Sequence, residues 1–246
     1  MARCFQIIKL YSGDCLEVMK ELSDKSIDMI LCDLPYGTTD CKWDSVIPFK
    51  ALWEEYNRVT KNDGVVVLFS AQPFTTKLIH SNMKNFKYCW YWKKNNITGG
   101  QFAKYQPLRC IEDICVFYSK LPTYNPQGLI KLEKPKVNKI NNKTEHFNFR
   151  GKNTSLQMYT NYPKHLLEFS KDKTHLHPTQ KPVALLEYLI KTYTNEGDVV
   201  LDNCMGSGST GVACANTNRD FVGIELDSNY FKIAKQRINE VTAVAT

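Results

Sequence analysis

Seven short strand-like runs, most of them separated by helical patterns, confine this chain to a layered α/β architecture. The runs fall at residues 6–11, 27–32, 65–70, 87–92, 113–118, 198–201 and 221–224, and helical spacing is read at 16–22, 49–59, 74–83, 210–216 and 230–241. Alternating strands and helices predict a mostly parallel sheet with helices on both faces. Little helix separates the fourth run from the fifth, so that end of the sheet is expected to hold an antiparallel pair. A chain of 246 residues suffices for one such domain plus an insertion.

The insertion is expected at residues 121–176, where periodicity fails. Pro122, Pro126, Pro135 and Pro163 interrupt it, asparagines are frequent, and no sustained apolar pattern runs through it. Residues 156–159 and 165–169 offer apolar anchors for a small, loosely folded module. The formal net charge is +7, and this stretch carries most of it. Ten basic residues, Lys131, Lys134, Lys136, Lys139, Lys143, Arg150, Lys152, Lys164, Lys171 and Lys173, face four acids, Glu133, Glu145, Glu168 and Asp172. Clustered lysines suit a polyanion, because they release counterions from phosphates; a solvated face is the plainer alternative. The division expected is therefore 1–120 with 177–246 as one domain and 121–176 as a basic insert.

Several classes are disfavoured. No apolar stretch is long enough for a transmembrane helix, and no membrane partner is expected. Residues 1–5 lack the apolar core of a signal peptide. Nine cysteines at irregular spacing include no Cys-x-x-Cys pair, which suits reduced thiols in a cytoplasm. His175 and His177 lack a third ligand at suitable spacing, so no metal site is expected.

Two loops carry the chemistry. Asp33-Leu34-Pro35-Tyr36-Gly37 follows the apolar run 27–32, so it sits outside the carboxyl end of a strand, where open α/β sheets bind ligands. It offers a carboxylate, main-chain carbonyls beside a proline, and an aromatic ring. Far along the chain, 199–201 leads into Asp202-Asn203-Cys204-Met205-Gly206-Ser207-Gly208-Ser209-Thr210-Gly211 and then a helix. Strand, glycine turn, helix lets backbone approach a ligand closely. Glu225 ends the next strand, and an acid about 20 residues past such a turn is the usual partner of ribose hydroxyls.

In this order, with His177-Pro178-Thr179-Gln180-Lys181-Pro182 between the two loops, the chain resembles the DNA amino-methyltransferases of the permuted β group. The likeness spans nearly everything outside the insert. It implies a circularly permuted Rossmann-like methyltransferase fold with a seven-stranded sheet, and S-adenosylmethionine as cofactor. The implied activity is site-specific methylation of adenine N6 in DNA, with cytosine N4 as the alternative. An acid opening the catalytic loop favours adenine in this family. The resemblance also admits a homodimer and a restriction endonuclease partner.

Residue roles follow from the same resemblance. Asp33 and the main-chain carbonyl of Leu34 would accept the two N–H groups of the target amine, Pro35 would hold Leu34 extended, and Tyr36 would stack on a base drawn out of the duplex. Leu34 stands where the family usually has proline. Gly206, Ser207 and Gly208 would approach the methionine part of the cofactor, with Asp202 and Thr210 nearby. Glu225 would take the ribose, Asp14 the adenine ring, and Thr179 and Lys181 the methionine carboxylate. Asn203 and Cys204 replace a frequent proline and phenylalanine, which weakens the expected apolar wall. For Asp14 a plain turn role, and for 38–44 a plain connection rather than a flap, remain open. Trp90 and Trp92 are expected in the core. A nicotinamide oxidoreductase built on the glycine turn and a catalytically silent DNA-binding protein are the rivals from other classes.

Overall fold

A computed structural model describes residues 6–37, 45–139, 154–172 and 180–244. They divide into two compact units, residues 1–125 with 165–246, and residues 126–164. The first unit contains an eight-stranded sheet. In chain order its strands are β1 (Ile8–Ser12), β2 (Ile27–Asp33), β3 (Thr60–Ser70), β4 (Phe86–Thr98), β5 (Arg109–Phe117), then β8 (Leu166–Glu168), β9 (Val199–Asp202) and β10 (Asp220–Glu225). Their spatial order is β1-β10-β9-β2-β3-β5-β4-β8. Only β5 runs against the others, pairing antiparallel with both β3 and β4.

Parallel strands in the middle of such a sheet are covered on both faces and read as continuous apolar runs. In β2, Met29, Ile30, Leu31 and Cys32 are all buried. The strand period of two sends Met29 and Leu31 to one face and Ile30 and Cys32 to the other. The first face packs on α4 (Val183–Tyr193), α5 (Ser209–Asn216) and α6 (Ser228–Val244). The second packs on α1 (Cys15–Lys20), α2 (Phe49–Val59) and α3 (Phe74–Ser81). Truncating one of these central side chains to alanine would cost about 2–5 kcal/mol, a large part of a domain's stability.

The architecture is the expected three-layer α/β fold, with two differences of detail. An eighth strand, β8, joins the sheet beside β4 through Leu166 to Glu168. It lies within the stretch expected to be insert, but buried Leu167 and half-buried Phe169 belong to the main core. Helix α4 escaped the sequence reading, although Pro182 ahead of Leu185, Leu186, Leu189 and Ile190 is a helix-start signal. Trp90 and Trp92 are buried as expected; their indole N–H groups donate to Tyr193 Oη at 2.6 Å and to the Phe169 carbonyl at 2.9 Å.

The second unit holds a two-stranded antiparallel sheet, β6 (Ile130–Lys139) and β7 (Thr154–Thr160). Residues 156–159 do not act as buried anchors here: Leu156 is 61% exposed, and Val137 opposite it is 64% exposed. Lys131, Lys134 and Lys136 are exposed on β6. Lys143, Arg150, Lys152 and Lys173 lie outside the described residues, as do 38–44 and His175.

Candidate active site

The strand order reverses between β2 and β9. From β2 the chain moves through α2 to β3 on one side; from β9 it moves through α5 to β10 on the other. This is the switch point at which open α/β sheets form a crevice. Because β2 and β9 are hydrogen-bonded neighbours, with Met29 opposite Val200 and Ile30 opposite Leu201, the Asp33 loop and the glycine turn leave the sheet side by side. Both line one cavity of about 480 Å³, a volume typical of small-molecule sites.

On the β2 side, Asp33, Leu34, Pro35 and Tyr36 all reach the wall. The Leu34 side chain is only 4% exposed and belongs to the core cluster that also holds Leu52 and Phe74. That anchor fixes the main chain where a proline ring would otherwise stiffen it. Tyr36 donates its hydroxyl to Asp33 Oδ1 at 2.7 Å, and its ring stacks on Phe74 at 4.9 Å. Burial, reinforced by the Asp33 carboxylate, holds the Tyr36 phenol neutral, well above its usual range.

Asp33 Oδ2 accepts from Lys181 Nζ. Lys181 also lies 3.4 Å from Glu112 Oε2, while Lys94 donates to Glu112 Oε1 at 2.9 Å. Lys181, expected beside the methionine carboxylate, lines the cavity shared with the glycine turn and is ion-paired there with Asp33. The ammonium is buried between two carboxylates and above the Phe69 ring, 5.1 Å from its centroid. Burial disfavours charge on Lys181, but Asp33 and Glu112 outweigh it and raise its pKa above the ordinary lysine value. Glu112 carries no signal in the sequence. It sits on β5 with Ile111 and Asp113 for neighbours and belongs to no motif.

On the β9 side, Asp202, Gly206, Ser207, Thr210 and Glu225 reach the same wall. Asp202 is buried and accepts from Thr210 Oγ1 at 2.6 Å and from the Cys204 amide at 3.1 Å. Burial pushes its carboxyl up to about 6 despite those bonds. Glu225 accepts from the Gly206 and Asp227 amides, each at 2.8 Å, and burial raises its carboxyl too. Arg237 of α6, unforeseen from the sequence, donates to the Ser207 carbonyl and clamps the turn.

Gly208, grouped with the turn's ligand contacts from the sequence, is not on this wall. Its φ of +80° caps α5, and a Cβ there would meet Ala234 Cβ of α6 at 2.8 Å. Its lack of a side chain serves helix packing. Asp14 lines the cavity while capping α1, accepting from the Leu16 amide at 2.8 Å, so both of its readings keep support. Cys204, with Cys15 and Cys32, also lines the wall. Burial pushes the Cys32 thiol up to about 12, so it serves there as a neutral, soft surface. Asn203 turns inward and accepts from buried Tyr56 Oη at 2.6 Å. Lys171, counted with the basic insert, lines this cavity as well. Thr179, His177 and Pro178 lie outside the described residues.

Comparison with known proteins shows the family. The family model described as "DNA methylase" matches residues 27–236, and the chain belongs to that family. It is 30% identical over 253 residues to Type II methyltransferase M.HpaI of Haemophilus parainfluenzae, covering 94% of this chain and 74% of the relative. To DNA adenine methyltransferase YhdJ of Escherichia coli K12 it is 27% identical over 249 residues, covering 92% and 81%. The crystal structure of the M1.HpyAVI–SAM complex superposes with a TM-score of 0.63 at 27% identity, covering 94% of this chain and 100% of that one. PvuII DNA methyltransferase, cytosine-N4-specific, reaches 0.70 over 97% and 91% at 16% identity, a likeness of fold alone.

Proposed function

We propose that the protein methylates the exocyclic N6 of adenine at a defined DNA sequence, with S-adenosylmethionine as methyl donor. The observation that carries this reading is the shared cavity: adjacent parallel strands bring the Asp33 loop and the glycine turn to one wall. The residues present suit the cofactor. Glu225 keeps unused lone pairs for ribose hydroxyls, Gly206 and Ser207 line the wall beside it, and three thiol-bearing residues give a soft apolar surface. When bound, S-adenosylmethionine supplies an electrophilic methyl group.

The chain's own residues do the rest. An aryl amine is a weak nucleophile because its lone pair is delocalised into the ring. Asp33 and the Leu34 carbonyl accept its two hydrogens, which pushes nitrogen toward tetrahedral geometry and frees that lone pair. Asp33 works as an orienting anion, which alignment and preorganised charge make effective. Tyr36, backed by Phe74, is a platform for an extruded base. The exposed lysines of β6 are the part of the insert we assign to phosphate contact and target recognition.

The acid at position 33 and the relative named as an adenine methyltransferase support adenine. The test is transfer of labelled methyl to unmethylated DNA, followed by digestion and identification of the nucleoside. N6-methyladenine is expected; N4-methylcytosine alone would overturn the choice of base.

A further inference from the structure

We propose that Glu112 is a positioning residue: it receives Lys181 when the target amine takes the ammonium's place on Asp33. The inference rests on the methyltransferase reading and assigns a new part of the same site.

The need for it follows from the ground state. Both oxygens of Asp33 are engaged, Oδ1 by Tyr36 and Oδ2 by Lys181. An ammonium in contact draws electron density from the carboxylate and weakens it as an acceptor for a neutral amine. The amine therefore has to displace Lys181, whose side chain is only 8% exposed. Leaving a buried ammonium without a counter-ion costs more than one neutral hydrogen bond returns. The exchange is feasible only if a second anion stands within reach.

Glu112 meets that requirement. Its Oε2 lies 3.4 Å from Lys181 Nζ, is buried, and has no hydrogen-bond partner among the described residues. Lys94 holds the other oxygen, Oε1, at 2.9 Å and so fixes the carboxylate's direction. A shift of roughly half an ångström brings Lys181 to charge-assisted hydrogen-bond length on Glu112. The Phe69 ring, 5.1 Å from the ammonium, stays beneath it as a cation–π surface. Two cations and two anions are present before and after the move, and no proton changes hands. Burial opposes ionisation of Glu112, but Lys181 and Lys94 overcome it and hold the carboxyl below its usual range, so the receiving anion is ready.

The test compares the parent with Glu112→Gln and Glu112→Asp, measuring methyl transfer to unmethylated duplex DNA and, separately, equilibrium binding of S-adenosylmethionine. Glu112→Gln is expected to lower kcat about 100-fold while the cofactor Kd stays within about threefold. Glu112→Asp keeps the charge on a shorter arm and is expected to recover about tenfold of that loss. Should the glutamine variant fail to fold, Glu112→Asp alone decides, by a kcat about tenfold below the parent with unchanged cofactor binding. Parent-like kcat in the variants, or a cofactor Kd that rises in step with the loss of kcat, overturns the inference while leaving the enzyme a methyltransferase. No methyl transfer by the parent overturns the underlying reading and the inference with it.

Discussion

The two walls of the cavity treat their acids in opposite ways. On the β2 side, Asp33 and Glu112 are paired with buried Lys181 and Lys94, and Glu112 is held below its usual range. On the β9 side, the donors to Asp202 and Glu225 among the described residues are neutral, including a threonine hydroxyl and backbone amides, and burial raises both. A fixed anion is useful where an amine must be held by its hydrogens. A less solvated, neutral-partnered acid is suited to accepting hydroxyl groups and tolerating a cationic ligand. On the proposed function, the ionic half of the cavity would serve the chemistry and the desolvated half would hold the cofactor.

The sharpest way to break that division is Asp33→Ala. Removing the orienting anion is expected to lower methyl transfer by about 1,000-fold or more while cofactor affinity stays within about threefold. Labelled methyl incorporation and equilibrium binding measure the two quantities separately. A parallel collapse of both would mean the halves act as one.

Next in size is the pH dependence that Asp202 imposes on folding. Its carboxyl sits at about 6 in the fold against 3.8 ordinarily, so the folded state holds the proton more tightly than the unfolded chain. Its favourable contribution is full below about pH 4 and is lost as pH rises through about 6. Relative to Asp202→Asn, the parent should therefore lose up to about 3 kcal/mol of stability across that window. Urea unfolding of both proteins over a pH series reads it directly, and a constant difference would show that Asp202 is not desolvated as described. Smaller again is Glu225→Ala, expected to weaken cofactor binding by about tenfold to thirtyfold with kcat at saturation little changed. A kcat loss with intact binding would place Glu225 on the wrong side of the division.

The sequence made the β9 half more legible than the β2 half, and the reason is physical. Asp202, the glycine turn and Glu225 are tied by local geometry, since each ends or follows a strand whose apolar run can be seen. Asp33 was visible on the same grounds. Its ionic partners were not, because Lys181 and Glu112 meet Asp33 only through the order of strands, and neither spacing nor composition encodes that order. Lys181 was read toward the cofactor for this reason. Gly208 illustrates the converse: a glycine in a binding turn was read as ligand contact when Ala234 on a distant helix explains it. Strand β8, three residues long, was too short to show a period, and α4 was overlooked beside the conspicuous motif preceding it.

The lysines described on β6 provide the finest test, because their charge sits on exposed side chains rather than in a cavity. Lys131, Lys134 and Lys136 are exposed on β6, where each can neutralise a phosphate at little desolvation cost. Replacing all three by glutamine should leave the cofactor Kd and the folding of the catalytic unit unchanged. DNA binding should weaken most at low salt, and the slope of log K against log salt should shrink by about 0.9 for every lysine that contacts a phosphate. Dilute surface charge of this kind is expected to change encounter and register, whereas changes to the paired charges around Asp33 are expected to change turnover. An unaltered slope in the triple variant would remove these lysines from the DNA contact and leave phosphate binding to other parts of the chain.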